Sequence, residues 1–438
     1  RDLGNGLRLR WSTASDTERI VECAGRVFGT DDRPDRGLQD LVRRFMRGDY
    51  PFMGPEDFAL VEDTARPDVP VVACACYLRE EWDFAGIPIP VARPEIVASD
   101  RDYRRKGLVR AVFSLLHERS TTDGTLLQGI TGIRYFYRQF GYEYALDLGG
   151  GVTLPLALVP DLPEGEKEPY RLRPATEADL GRIAELYRYR HRSELMSLRV
   201  PDDFWHYLVA TENDELTGSL RLRVLENSTG EFTGFVSLPY ERGNDSVHVH
   251  LAAFVAGVDL AAIVPSLARA IRTAATDVPA RKPEIPLRKV QFQLGRDHPL
   301  CTVIPREWAP QADDPYAWYL RIPDVPAFLR HIGPELEKRL AASAFAGHTG
   351  EIPIDLYRYC VRLAFAGGRL ESVERYEIPL HDNPAKAGFP PLAFIPLVVG
   401  YRSLADLRAT HPDAWAGNEV AAILEVLFPK VSSHVFGA

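Results

Sequence analysis

Two stretches of the chain, LRLRWSTASDTERIVECAGRVF from Leu7 and YRLRPATEADLGRIAELYRYR from Tyr170, share one design. Each alternates apolar and polar residues as a strand does, passes through a polar turn, and then places apolar residues at helical spacing. In the first, Ser15 or Asp16 caps a helix whose apolar face is Ile20, Val21, Ala24, Val27 and Phe28. Further on, VHVHLAAFV, DLAAIVPSLARAIRTAA and KVQFQL repeat the strand, helix, strand order found around Gly107. A unit that recurs in this way must fold twice, so the chain is expected to hold tandem copies of one domain. VPDLPEGEKEP, rich in proline, glycine and charge, reads as the linker between them.

The first copy adds a helix, LQDLVRRFMR, the strands DFALVED, VPVVACACYLREEWDFAGIPIPVA and PEIVAS, and after Gly107 an amphipathic helix with Leu108, Val109, Val112, Phe113, Leu115 and Leu116 on one face. TLLQGI and YEYALDL are strands, and IRYFYRQF is a short helix. From about residue 306 the pattern changes to strand, helix, a run of strands and closing helices, a separate α+β unit. The expected class is therefore α/β (α+β), divided as 1–158, 169–305 and 306–438.

At 438 residues, with 45% hydrophobic and 26% charged residues, the chain has material for several packed cores. No apolar run reaches the roughly 18 to 20 residues that span a bilayer, and no secretory signal opens the chain, so the expectation is a cytoplasmic protein that does not insert into membranes. The five cysteines lack paired Cys-x-x-Cys spacing, and Cys74 and Cys76 share a strand face as core thiols do. His248 and His250 share a strand face without a third ligand nearby, so no metal is expected. A net charge of -9 argues against nucleic acid and favours a compact anionic ligand met by a local basic cluster, with a cationic second substrate.

That cluster is DYRRKGLVRAVFSLLHE, in which Arg104, Arg105 and Lys106 run into Gly107 and a helix. A helix start carries free N–H groups and partial positive charge, so cations there oppose the helix unless an anion joins them. A diphosphate satisfies both, with glycine allowing close approach of the backbone.

About thirty residues on comes YFYRQFGYEY. Together the two elements resemble the GCN5-related N-acetyltransferase (GNAT) superfamily, whose pattern is Gln or Arg, two residues, Gly, one residue, Gly or Ala. Here it runs Arg104, Arg105, Lys106, Gly107, Leu108, Val109, with Val109 in place of the last small residue. The three-part layout is similar to the enhanced intracellular survival (Eis) acetyltransferases: a catalytic GNAT domain, a degenerate second copy and a sterol-carrier-protein-like end domain.

The resemblance implies acetyl-CoA as co-substrate, held by the Arg104–Val109 turn and by the backbone of Ile96, Val97 and Ala98, with the Val97 N–H as oxyanion donor. It implies Tyr137 as the acid beside the thioester sulfur, and the carboxylate of Ala438 as general base if Ala438 is the native C-terminus. It further implies a homo-oligomer, a hexamer in the Eis-like form. An acceptor pocket suited to an ammonium group is offered by Trp82, Phe84 and Glu81, with Phe45, Tyr50, Phe52, Glu80 and Asp83 nearby. The expected activity is N-acetyl transfer from acetyl-CoA to a primary amine, an aminoglycoside, polyamine or lysine-like acceptor, by direct attack in a ternary complex. The alternative is a non-catalytic CoA- or lipid-binding module.

Overall fold

The computed structural model describes residues 1–30, 33–212, 214, 220–377 and 384–437. Its first half forms β1 (Leu7–Trp11), α1 (Thr17–Phe28), α2 (Arg36–Met46), β2 (Phe58–Asp63), β3 (Val71–Phe84), β4 (Ile87–Ser99), α3 (Leu108–Thr122), β5 (Leu127–Ile130), β6 (Glu143–Leu148) and β7 (Gly151–Pro155). The second half follows as β8 (Tyr170–Pro174), α4 (Leu180–His191), α5 (Asp202–Ala210), β9 (Leu220–Asn227), β10 (Phe232–Pro239), β11 (Ser246–Val249), β12 (Ala252–Phe254), α6 (Leu260–Thr276), β13 (Lys289–Phe292) and β14 (Tyr316–Arg321). Beyond it, strands Gly350–Asp355, Cys360–Ala366 and Arg369–Tyr376 with two short partners make a separate sheet, packed by helices including Phe394–Val398 and Asn418–Leu427.

The two copies open alike at atomic detail. Thr13 and Asp16 form a capping box before α1, and Thr176 and Asp179 form one before α4. Arg10 on β1 then bridges Asp16 and Glu62, each at 2.7 Å, while Arg173 on β8 bridges Asp179 at 2.7 Å and Glu226 at 2.6 Å. In both, the arginine ties the opening strand to the helix start and to the next strand of the sheet.

The halves also exchange strands. β7 pairs with β13 in a sheet of the second half, and β14 inserts between β5 and β6 of the first. Periodicity finds a strand but not its sheet, so WYLRIP reads locally as the start of the end unit while its pairing is with the first. PEIVAS is likewise no separate strand but the end of the 13-residue β4. Pro88, Pro90 and Pro94 fall at even spacing on it, and the Pro90 carbonyl accepts from Leu126 across the outer edge. Their missing donors thus face an edge that is paired only at Val91 and Ala92, where proline is tolerated.

Candidate functional site

That partly paired edge creates the site. β4 runs parallel to β5 at Val91–Leu127 and Ala92–Gln128, and beyond Ala92 no pairing continues on that side among the described residues. The strands diverge, leaving the segment that contains Ile96, Val97 and Ala98 facing a gap. The register with β3 also shifts between Cys74 and Cys76, and opposite this bulge Ile96 has φ +50°. A β-branched residue in the left-handed region is strained, and bulges of this kind re-aim backbone groups beside active sites.

At the mouth of the gap, α3 begins at Gly107 with φ +76° and no side chain capping it. Gly107 O accepts from Ala111, and the N–H groups of Leu108, Val109 and Arg110 find no acceptor among the described residues. They open on a cleft of about 650 Å³ whose walls include Val97, Arg104, Arg105, Gly107, Val109 and Phe136. Lys106 turns aside, its ammonium 4.5 Å from the centre of the Tyr103 ring. Ile96 and Ala98 are buried and point away from this wall.

The opposite wall is the 3-10 turn Tyr137–Phe140, reached through Tyr135 at φ +63°. Phe140 stacks on Phe113 at 4.5 Å and fixes the turn against α3. Tyr137 is buried, its ring 5.4 Å from Tyr319 of the inserted β14, and its hydroxyl has no partner among the described residues. Burial pushes the phenol well above its ordinary pKa, and the nearby Glu95 carboxylate pushes it further.

Glu95 did not stand out in the sequence. It sits deep in the domain on β4, yet 28% of its side-chain surface is accessible, as for a group lining a concavity. Burial raises its pKa, and Arg93 at 3.6 Å only partly offsets this. Arg93 in turn pairs with the fully buried Glu80 at 2.8 Å, and Glu80 accepts from Trp82 Nε1 at 2.8 Å. Trp82 meets Trp318 of β14 edge-on at 5.5 Å, and Arg93 lies 5.7 Å over Trp318.

Of the acceptor-pocket residues, Trp82 therefore adjoins this charged floor, with no accessible surface of its own. Phe84 packs on Phe328 of the end unit. Glu81 lies on the other face of β3, exposed and paired with Arg199, so the carboxylates brought to the site are Glu80 and Glu95. Tyr50 joins them through Phe45, Phe52, Phe204 and Tyr207, an aromatic wall completed by α5. Asp83 pairs with Arg199 at 2.6 Å.

Ala438 lies outside the described residues, but the tail before it is described. Leu195 N bonds Ser432 O, Glu194 accepts from His434 N, and Val435 O accepts from Trp318 Nε1 at 3.2 Å. A methyl group on Gly437 would stand 3.5 Å from Trp318 and 3.7 Å from Arg93 Nη1. β14 lies more than 170 residues in sequence from the partners it meets here, and the tail is farther still from Arg93, beyond the reach of local pattern. Among the described residues no group of three or more His, Cys, Asp or Glu is placed to hold a metal, and no helix is long and apolar enough to cross a membrane.

Residues 8–145 match the family model described as Acetyltransferase (GNAT) domain. Among solved structures, a GCN5-related N-acetyltransferase from Anabaena variabilis is similar over 98% of this chain and 99% of its own, with TM-score 0.65 and 15% identity. One from Kribbella flavida is similar over 98% of both chains, with TM-score 0.64 and 20% identity. Eis1 from Mycobacterium abscessus is similar over 98% and 99%, with TM-score 0.57 and 14% identity. No curated protein matches the sequence. The fold is GNAT-like, and the segment that carries Tyr137 and Glu95 lies within the residues that match the acetyltransferase model.

Proposed function

We propose that the protein is an acetyl-CoA-dependent N-acetyltransferase that acts on a primary amine by direct attack in a ternary complex. One observation carries this reading: a cleft at an uncapped, cation-flanked helix end is walled by Val97 of the diverging strand edge and by Val109 and Phe136, and the buried Tyr137 packs against those same residues with the Glu95 carboxylate nearby. Each part matches one need of the reaction. The N–H groups of Leu108, Val109 and Arg110 with Arg104 and Arg105 suit the pyrophosphate. The free edge of β4 suits the pantetheine arm, and the Val97 N–H the thioester oxygen as it gains charge.

Tyr137, its pKa raised, stays protonated at neutral pH and can give its proton to the thiolate as the carbon–sulfur bond breaks. Glu95, its pKa raised above that of an exposed carboxylate, is suited to take a proton from the attacking amine as the carbon–nitrogen bond forms. The tail beside Arg93 supports a part for the Ala438 carboxylate as a second proton acceptor in the same place. The charged floor and the aromatic wall around Tyr50 suit a cationic acceptor of the aminoglycoside, polyamine or lysine class. In this reading the end unit, which resembles sterol carrier proteins, serves the site by delivering the tail, and the chain assembles as a homo-oligomer.

The test is thiol release from acetyl-CoA with a panel of amines, followed by Glu95→Gln and by deletion of the last two residues. Acceptor-dependent release that falls by about 100-fold or more in Glu95→Gln, with CoA affinity unchanged, is expected. If only the deletion abolishes turnover, the base is the chain end. If no amine promotes release, the transferase reading is wrong.

A further inference from the structure

A second cavity, of about 550 Å³, lies along α3 beside the cleft and is lined by side chains from three distant parts of the chain. Arg110 comes from α3, Arg321 from the end of β14, and Arg358 from the loop between two strands of the end unit. Among the described residues none of the three has a carboxylate within ion-pair distance. Arg110 donates to Gln139 Oε1 at 3.1 Å and lies over Phe140, and Arg321 donates to Gln128 Oε1 at 2.9 Å. Both acceptors are neutral.

This is unusual in an acidic protein whose arginines are mostly ion-paired. Arg110 and Arg358 are exposed, but Arg321 is lowered into the wall, at a desolvation cost of which a neutral amide returns little. Burial lowers the pKa of Arg321, opposed by the nearby Tyr142 and not by a carboxylate. Gln128 is held rigidly for this contact, since its amide donates to Ser120 Oγ and Tyr142 donates to its carbonyl. His117 adds no charge: burial and Arg321 push its pKa down to about 3, and its Nε2 meets the Tyr142 hydroxyl at 3.1 Å. Glu118, the one acid on the wall, is ion-paired with Arg1.

We propose that the cavity between Arg110, Arg321 and Arg358 binds a phosphate-bearing anion. Three guanidinium-bearing residues around one space suit a phosphate dianion or phosphoester better than a monocarboxylate, which would leave most of the positive charge unbalanced. The volume suits a small phosphorylated molecule. Arg110, Gln139 and Phe140 also line the cleft already described, so the two spaces adjoin. The phosphate therefore has two possible sources: the 3′-phosphate of CoA itself, which rests on the acetyl-CoA reading, or a separate phosphorylated effector.

Calorimetric titration of the full chain with CoA, dephospho-CoA and inorganic phosphate separates them. Arg358 is exposed in a loop, so Arg358→Gln keeps the fold, and Arg321→Gln provides a second, more buried variant. If CoA supplies the phosphate, dephospho-CoA binds the native protein at least about fivefold more weakly, and this gap closes in Arg358→Gln. If a separate anion does, the two forms of CoA bind alike, and inorganic phosphate binds the CoA-saturated protein but not Arg358→Gln or Arg321→Gln at equal ionic strength. Equal CoA and dephospho-CoA affinities with no phosphate binding, or binding indifferent to both variants, would overturn the proposal. Failure of CoA itself to bind strikes the acetyl-CoA reading instead, and leaves the phosphate titration to decide the cavity.

Discussion

The two halves share an opening and differ at the one turn that matters. At the start of α3, Gly107 is uncapped and flanked by cations. At the matching start of α6, Asp259 caps the helix itself, accepting from Ala261 N at 3.0 Å and Ala262 N at 3.3 Å. A carboxylate built into the second turn holds the place that phosphate oxygens are proposed to hold in the first. The neighbouring space is also smaller, about 320 Å³, walled by Phe254, Val258 and Leu260. The Arg–Asp–Glu brace is present in both halves, whereas the turn before the long helix is uncapped and cation-flanked in one and capped by its own carboxylate in the other.

The sharpest way to break the comparison is Tyr137→Phe. It removes one oxygen that has no structural partner among the described residues, so stability should hardly change. Turnover should fall by about 100- to 1,000-fold with CoA affinity kept, the scale of a lost general acid. An equal loss of CoA binding would show that Tyr137 is a packing residue.

The second half contributes by holding the tail. Glu194 takes His434 N at 3.1 Å and His191 Nδ1 at 2.8 Å, and the His434 ring lies buried against His191. Burial pushes the pKa of His434 down to about 4, a shift that the Glu194 carboxylate opposes. Burial likewise lowers His250 to about 4. The neutral forms are thus favoured in the folded protein, and the unfolded chain binds more protons between about 4 and 6.5. Stability is therefore intact above about 6.5 and falls as pH drops toward 4, by about 1.4 kcal/mol per pH unit for each such histidine. Urea midpoints from pH 8 to 4 should show this slope, and His434→Gln should flatten it. An unchanged slope in the variant would remove His434 from the account.

How much of this was legible depends on sequence distance. Gly107 follows three cations that by themselves imply an anion, whereas Tyr137 stands out among its aromatic neighbours only through the resemblance to the acetyltransferases. Glu95 looks like one polar position on an apolar strand, and only the bulge at Ile96 and the parting of β4 from β5 turn it inward. Trp318 and Tyr319 reach the site through pairings more than 170 residues away in sequence, set by an exchange of strands between halves, and Gly437 reaches it with the tail beside Trp318 and Arg93; periodicity registers neither. Glu81 stands with Glu80 and Trp82 on a strand whose alternation divides them: Glu80 and Trp82 face inward, and Glu81 faces Arg199.

Gly107→Asp writes the second half's solution into the first. Aspartate tolerates positive φ better than most residues and can cap α3. It would also put a negative charge where the pyrophosphate is proposed to sit. CoA affinity should fall by about 30-fold, roughly 2 kcal/mol, while the few tenths of a kcal/mol that an aspartate cap adds are offset by the strain of a side chain at φ +76°, so stability should change little. Calorimetry and a denaturant midpoint read the two terms separately, and undiminished CoA affinity would detach the turn from the ligand.

The converse, Asp259→Ala, should have the smallest effect. Loss of the cap costs about 1 kcal/mol, visible as a lower urea midpoint. CoA should gain no second site, because freed N–H groups are only one part of the requirement. The AGVD turn lacks the cations of Arg104 and Arg105, and the space beside it is about half the volume of the first cleft. A titration of this variant that rises to two CoA per chain would show that the cap alone silences the second copy, and that cations and cleft volume matter less than the free ends of the helix.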